Sequence, residues 1–254
     1  MSATPQDGIA WITGASTGIG AAVAARLVQE GWTVAITARA AATLQALADR
    51  HPGKMLAAPG DVTDTAAMKA IVADIEGRAG RPVALAMFNA GAWQEMGAAD
   101  FDLAAFRTMV DVNLVGTANG LDAVMPGMIA RGRGQIAIVA SVAGYRGLPR
   151  AVAYGATKAA LISMAESLEF DLKPRGVTVN IVNPGFVRTP MTDVNTFPMP
   201  FLLEVEDAAG RIVRGLRRGR FEICFPWQLA LPLQILALLP HRLFYALLAR
   251  GTRA

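Results

Sequence analysis

Tyr154 and Lys158 stand four residues apart in Tyr154-Gly155-Ala156-Thr157-Lys158. On a helix that spacing brings two side chains to one face. A free phenol loses its proton near pH 10, and a neighbouring ammonium favours the phenolate. Such a pair can give a proton to a carbonyl oxygen, or take one from an alcohol, near neutral pH. Ser141 follows the apolar run Ile136-Ala137-Ile138-Val139-Ala140, at the strand end where parallel sheets meet ligands, and its hydroxyl can hydrogen-bond the same oxygen. A second group, Thr13-Gly14-Ala15-Ser16-Thr17-Gly18-Ile19-Gly20, suits a phosphate. Glycine lets backbone N–H groups approach an anion, and the helix that follows adds its positive end. The spacing Gly-x-x-x-Gly-x-Gly is not G-x-G-x-x-G, but it too joins a first strand to a first helix.

The end of the second strand bears on which dinucleotide is held. An acid there accepts hydrogen bonds from the ribose hydroxyls of NAD, whereas an Arg suits the 2′-phosphate of NADP. The strand ends Thr37-Ala38-Arg39-Ala40, with no acid and with Arg39. The expected cofactor is therefore NADP, with NAD the less favoured.

These residues need a scaffold, and the apolar pattern supplies one. Strands are expected over Gly8–Thr13, Trp32–Thr37, Lys54–Ala58, Pro82–Phe88, Gln135–Ala140 and Val177–Val182. Helices are expected over Gly20–Glu30, Ala40–Arg50, Asp64–Arg78, Ala99–Ile129 with a bend near Pro126, and Ala151–Lys173. Strands alternating with long helices imply crossover units, a parallel sheet and an α/β doubly wound fold. The uninterrupted alternation predicts one domain over residues 1–225, followed by an apolar extension over 226–254.

Composition narrows the class. Of 254 residues 53% are hydrophobic and 17% charged, which excludes a disordered chain. One cysteine, Cys224, excludes a disulfide scaffold and a cysteine-based zinc site, and two histidines, His51 and His241, do not build a His-rich centre. No metal is expected. Residues 211–254 carry a net charge of +7 and the rest −3, so the body gives no reason to expect nucleic acid. Met1–Asp7 has neither a basic start nor an apolar stretch, so a cytoplasmic location is expected.

Taken in order, the motifs resemble the short-chain dehydrogenase/reductase family, in its compact single-domain branch, over about residues 8–225. Besides the Gly loop, Asp61-Val62 matches the family's adenine contact and Asn89-Ala90-Gly91 its turn after the fourth strand. Asn113, in Val112-Asn113-Leu114, matches the Asn that positions a water in the proton relay. Ser141, Tyr154 and Lys158 match the other catalytic positions, and Pro184-Gly185, Val187 and Thr189 the stretch that holds the nicotinamide carboxamide. The resemblance implies a Rossmann-like sheet of seven parallel strands in order 3-2-1-4-5-6-7. It implies hydride transfer between nicotinamide and a carbonyl carbon, with Tyr154 as acid or base. Lys158 would lower the phenol pKa and bind the nicotinamide ribose, Ser141 would orient the substrate oxygen, and Asn113 would support the water chain. It also implies a homodimer or homotetramer paired through the long helices.

Two regions bear on the substrate. Residues 190–203 form the family's lid and are rich in Met, Phe and Leu with a single charge, and Trp93 and Tyr145 are candidates to line the pocket. Apolar walls favour a lipophilic ketone or alcohol. In the extension, no formal charge occurs between Glu222 and Arg242, but Pro226, Pro232 and Pro240 break the run and argue against a spanning helix. Residues 226–250 are left as peripheral membrane contact, subunit contact or cover over the substrate mouth. A catalytically silent NADP-binding sensor or scaffold is the alternative to an enzyme.

Overall fold

The computed structural model describes residues 2–251 and consists of strands and helices in alternation. They are β1 (Ile9–Thr13), α1 (Gly18–Gln29), β2 (Val34–Thr37), α2 (Ala41–Ala48), β3 (Met55–Ala57), α3 (Thr65–Ala79) and β4 (Val83–Phe88). The second half holds α4 (Leu103–Val110), α5 (Gly116–Arg131), β5 (Gly134–Val139), α6 (Val152–Leu172), β6 (Val177–Pro184), α7 (Val205–Arg217) and β7 (Glu222–Phe225). The chain then adds α8 (Trp227–Ala237) and α9 (His241–Gly251). The seven strands form one sheet in the order β3-β2-β1-β4-β5-β6-β7, and every pairing is parallel.

The sheet is covered on both faces, which is why its strands are apolar without alternation. Ala10 and Ile12 of β1 face a core completed by Val23, Ala24 and Leu27 of α1 and Ile212, Val213 and Leu216 of α7. Ile9 and Trp11 face the other core, with Ile71 and Ile75 of α3, Leu121 and Val124 of α5 and Leu161 of α6. Gly120 lets α5 lie against the sheet, since a Cβ there would sit 2.3 Å from the ring of Phe88. Gly120→Ala is therefore expected to cost about 1–3 kcal/mol of stability through overpacking, outweighing alanine's better helix propensity. Urea unfolding with an unchanged slope would check it.

The long helix expected over 99–129 is divided upstream of Pro126. Pro126 lies inside an unbroken α5. The carbonyl it deprives of a donor belongs to Asp122, on the solvent side, where the carboxylate pairs with Lys69. The irregularity lies upstream, at residues Asp111–Val115, which form a π-helical turn closed by the Gly116 N–H to the Asp111 carbonyl. Such turns are frequent at functional sites, and this one holds Asn113. Beyond β7, Pro226 precedes α8, Pro232 lies inside it, and Pro240 precedes α9. Among the described residues no helix is long and apolar enough to cross a membrane.

Candidate functional site

The end of β1 is clamped to the end of β4. The Thr13 hydroxyl accepts from the amides of Asn89 (3.1 Å) and Ala90 (3.3 Å), and Asn89 Nδ2 donates to the carbonyls of Thr13 and Gly14 at 3.2 and 3.0 Å. Gly14 has φ +64° and approaches Ala90 so closely that a Cβ would lie 2.6 Å from its Cα. Gly20 packs against the Asn89 amide behind this turn and does not line the cleft. In front lies a cleft of about 470 Å³ at the carboxyl edge of the sheet, where ligands bind in open α/β sheets. Gly14, Ser16, Thr17, Gly18 and Ile19 form one wall, and Arg39, Asp61 and Val62 lie at one end. Asn89, Ala90 and Gly91 form the floor, and Tyr154, Lys158, Pro184, Gly185, Val187 and Thr189 the far end. Thr17 caps α1 without a side-chain hydrogen bond, so the opening of this helix is not closed by its own cap. The Asp61 carboxylate accepts from the amide and hydroxyl of Thr63, both at 2.9 Å. These bonds, with the nearby Arg39 charge, hold it below the ordinary carboxylate value.

Tyr154 lies in the first turn of α6 and Lys158 one turn further on. Trp93 meets the Tyr154 ring edge to face, with centroids 4.9 Å apart. Lys158 is 4% exposed, with Nζ donating to the Val139 carbonyl at 2.9 Å and lying 5.4 Å from the Tyr154 ring centroid. Burial pushes the phenol up to about 12, with hydrogen bonding to Ser141 acting the other way, and pulls the ammonium down to about 8. The expectation of a phenol lowered by its neighbouring cation is thus not met here: desolvation sets the direction and only Ser141 opposes it, while the cation sits over the ring face and is bonded to a carbonyl. Ser141 follows β5, its Oγ accepting from the Ala143 amide at 3.1 Å.

Asn113 is fully buried and stands behind the cleft. Its Oδ1 accepts from the Ala92 amide (2.6 Å), and its Nδ2 donates to the Ala92 carbonyl (3.1 Å) and Thr157 Oγ1 (3.0 Å). Thr157 in turn donates to the Tyr154 carbonyl at 2.8 Å. The side chain of Asn113 therefore ties the Asn89–Ala92 turn to the opening of α6. Its own carbonyl accepts from Thr117 Oγ1 at 2.8 Å.

A second cavity, about 410 Å³, meets the first at Ser141 and Tyr154. Trp93, Leu148, Phe186, Met191, Phe197, Leu229 and Leu233 line it. The segment 190–203 is fastened to the body by Trp93 Nε1 donating to Asn195 Oδ1 at 2.8 Å. Glu95 and Arg150, on the wall, are paired with each other, and Arg150 also pairs with Asp100 at 2.7 Å.

A family model described as short chain dehydrogenase matches residues 8–197. The chain belongs to the short-chain dehydrogenase family. An uncharacterized oxidoreductase of Myxococcus xanthus is 39% identical over 240 residues, covering 93% of this chain and 94% of that protein. A sulfoacetaldehyde reductase of Chromohalobacter salexigens is 36% identical, covering 74% of this chain and 76% of that one. Among solved structures, an actinorhodin polyketide ketoreductase with NADPH superposes with a TM-score of 0.80 at 27% identity, covering 90% of this chain and 99% of the other. The protein is an NAD(P)-dependent dehydrogenase/reductase.

In this short-chain dehydrogenase, the wall of the second cavity draws on the segment left open above as a cover over the substrate mouth. Leu229 and Leu233, one turn apart on α8, belong to that wall. Arg146 holds the end of α8, donating to the carbonyls of Leu236 (3.1 Å), Ala237 (2.9 Å) and Leu239 (2.5 Å). Its guanidinium also lies 4.1 Å from the ring centroid of Phe244 on α9. Tyr145, expected as a pocket residue, points elsewhere. The single helical turn at 142–144 directs it away from the cavity, and its hydroxyl donates to Glu222 at 2.6 Å, beside Gln234. The signal for α8 was only a helical spacing of leucines; Arg146 left none, because its partners are backbone carbonyls far along the chain.

Proposed function

We propose that this enzyme is an NADP-dependent oxidoreductase interconverting a carbonyl and a secondary alcohol on a lipophilic substrate, with Tyr154 as general acid and base. One observation carries the reading: Ser141 and Tyr154 stand where a glycine-walled cleft opens into a cavity lined mainly by apolar side chains. The cleft fits a dinucleotide, because its wall is the glycine turn and the opening of α1. Gly14, Ser16, Thr17, Gly18 and Ile19 would hold the pyrophosphate, Arg39 a 2′-phosphate, and Asp61 and Val62 the adenine. Asn89, Ala90 and Gly91 would support the ribose side, and Pro184, Gly185, Val187 and Thr189 the nicotinamide amide. When bound, the dinucleotide supplies or accepts the hydride.

The chain's own residues handle the oxygen and the proton. Ser141 donates a hydrogen bond to the substrate carbonyl oxygen, polarising it. Tyr154 gives its phenolic proton to that oxygen as the carbonyl carbon is reduced, and takes one back in alcohol oxidation. Lys158 binds the nicotinamide ribose and faces the phenolate that forms. Asn113 keeps the turn and α6 in register. A phenol pushed up to about 12 holds its proton through neutral pH, so the acid needed for reduction is loaded. Oxidation needs the phenolate and rises with pH for as long as Lys158 keeps its charge. Exposed Val115 and Ile129 on the α5 side and Phe170 on α6 support pairing of subunits through these helices.

The test is consumption of NADPH and of NADH across a panel of apolar ketones, with wild type and Arg39→Ala. Wild type should prefer NADPH. Arg39→Ala should lose about tenfold or more in kcat/KM for NADPH, the value of one charge-assisted contact, while NADH turnover holds. Equal use of both cofactors by wild type would remove NADP preference. Nucleotide binding without turnover of any ketone would favour the silent sensor instead.

A further inference from the structure

Helices α8 and α9 have two unlike sides. On α8, Leu229 and Leu233 face the substrate cavity and Ala230 is buried against the body. The opposite side presents Trp227, Leu231, Ile235 and Leu238, at spacings that place them in one stripe. Trp227 is 67% and Leu238 86% exposed. On α9, Phe244 is buried under Arg146, while Leu243, Tyr245 and Leu247 are exposed. Exposed apolar side chains therefore stand on both helices, four of them in one stripe along α8. Soluble proteins seldom leave such a surface bare unless it meets a partner.

The charge pattern selects the partner. Beyond Glu222 the sequence contains no acid, and its formal charges are Arg242, Arg250 and Arg253. A second copy docked on the same stripe would bring Arg242 toward its own kind with no acid from either hairpin to answer it. An anionic bilayer answers both features at once: headgroups take the arginine, and the acyl boundary takes the apolar side chains. Trp227 and Tyr245, aromatic residues with a polar edge, suit that boundary. The hairpin is held ready by Arg146, which fixes the carbonyls at the end of α8.

We propose that the α8–α9 hairpin docks the enzyme on an anionic lipid surface, so that the helix lining the substrate cavity is the one resting on the bilayer. Docking itself does not depend on the substrate. The consequence, that a lipophilic substrate reaches the cavity from the lipid, rests on the function proposed above.

The experiment uses the full chain with vesicles of phosphatidylcholine, with and without phosphatidylglycerol. Wild type should sediment with the anionic vesicles, and more weakly as salt rises. Trp11 and Trp32 are buried and Trp93 half-buried, so a blue shift of emission should come from Trp227 and vanish in Trp227→Phe. The double variant Leu231→Glu, Ile235→Glu should bind about tenfold or more weakly. Both residues are exposed, so its circular dichroism and its turnover of a water-soluble ketone should match wild type. Failure of wild type to bind anionic vesicles, or equal binding by the double variant, would overturn the proposal. So would a concentration-dependent dimer in light scattering that the double variant abolishes without any vesicle binding. Vesicle binding by an enzyme that turns over no apolar ketone would leave docking standing and remove the lipophilic-substrate reading alone.

Discussion

Tyr154→Phe is expected to lower kcat by about 10²–10⁴-fold, the usual contribution of a positioned general acid. The nucleotide should bind almost as well. The substitution keeps the ring, its edge-to-face contact with Trp93 and the Lys158 ammonium over its face, and removes only the oxygen. The oxygen removed is a neutral phenol facing the cavities, so its loss leaves no charge unpaired, and unfolding should be nearly unchanged. Steady-state kinetics together with nucleotide titration separate the two effects. The pH profiles add a second reading. In wild type, carbonyl reduction should stay level below about pH 8, where Lys158 keeps its proton, and fall beyond it, while alcohol oxidation climbs up to the same point. The phenylalanine variant should lose both slopes. Turnover close to wild type on a true substrate would remove Tyr154 from the proton path.

What could be read before the structure was the local chemistry. The glycine loop, Ser141 and the Tyr154/Lys158 pair each lie within one strand, turn or helix, so spacing alone assembles them. The sheet was equally legible, because strands buried on both faces are apolar at every position, as Ile136–Ala140 are. Three features were not. The π-helical turn around Asn113 depends on a Thr117 hydroxyl and a Gly116 amide reaching back, and such residues look like ordinary helix in the sequence. The cavity walls come from separate segments, Trp93, Leu148, Phe186 and Leu229 among them, which only tertiary packing brings together. The proton affinity of Tyr154 is likewise a property of packing. Its spacing from Lys158 announces a nearby cation, but only the fold decides how much water is left around the phenol.

Burial of Lys158 has an energetic signature that activity alone would not reveal. Its ammonium is pulled from an ordinary 10.5 to about 8 by desolvation, equivalent to about 3 kcal/mol. The folded pKa lies below the unfolded one, so between them the unfolded chain binds more protons and stability rises with pH. Below about pH 8 both states carry the proton and the folded state bears the whole cost; above about 10.5 neither does. Lys158→Met removes this titration. Across that window, wild type should gain up to about 3 kcal/mol of unfolding free energy relative to the variant. At neutral pH the variant is relieved of a buried charge, against about 1–3 kcal/mol for leaving the Val139 carbonyl without its donor. Its catalysis should fall by about a hundredfold or more, since the phenolate then forms with no cation beside it. Urea unfolding of both proteins at several pH values, with turnover measured on the same samples, checks the two effects together. A stability difference that does not move with pH would mean that the ammonium is hydrated in the folded protein. Its role beside Tyr154 would then have to be argued from the ribose contact alone.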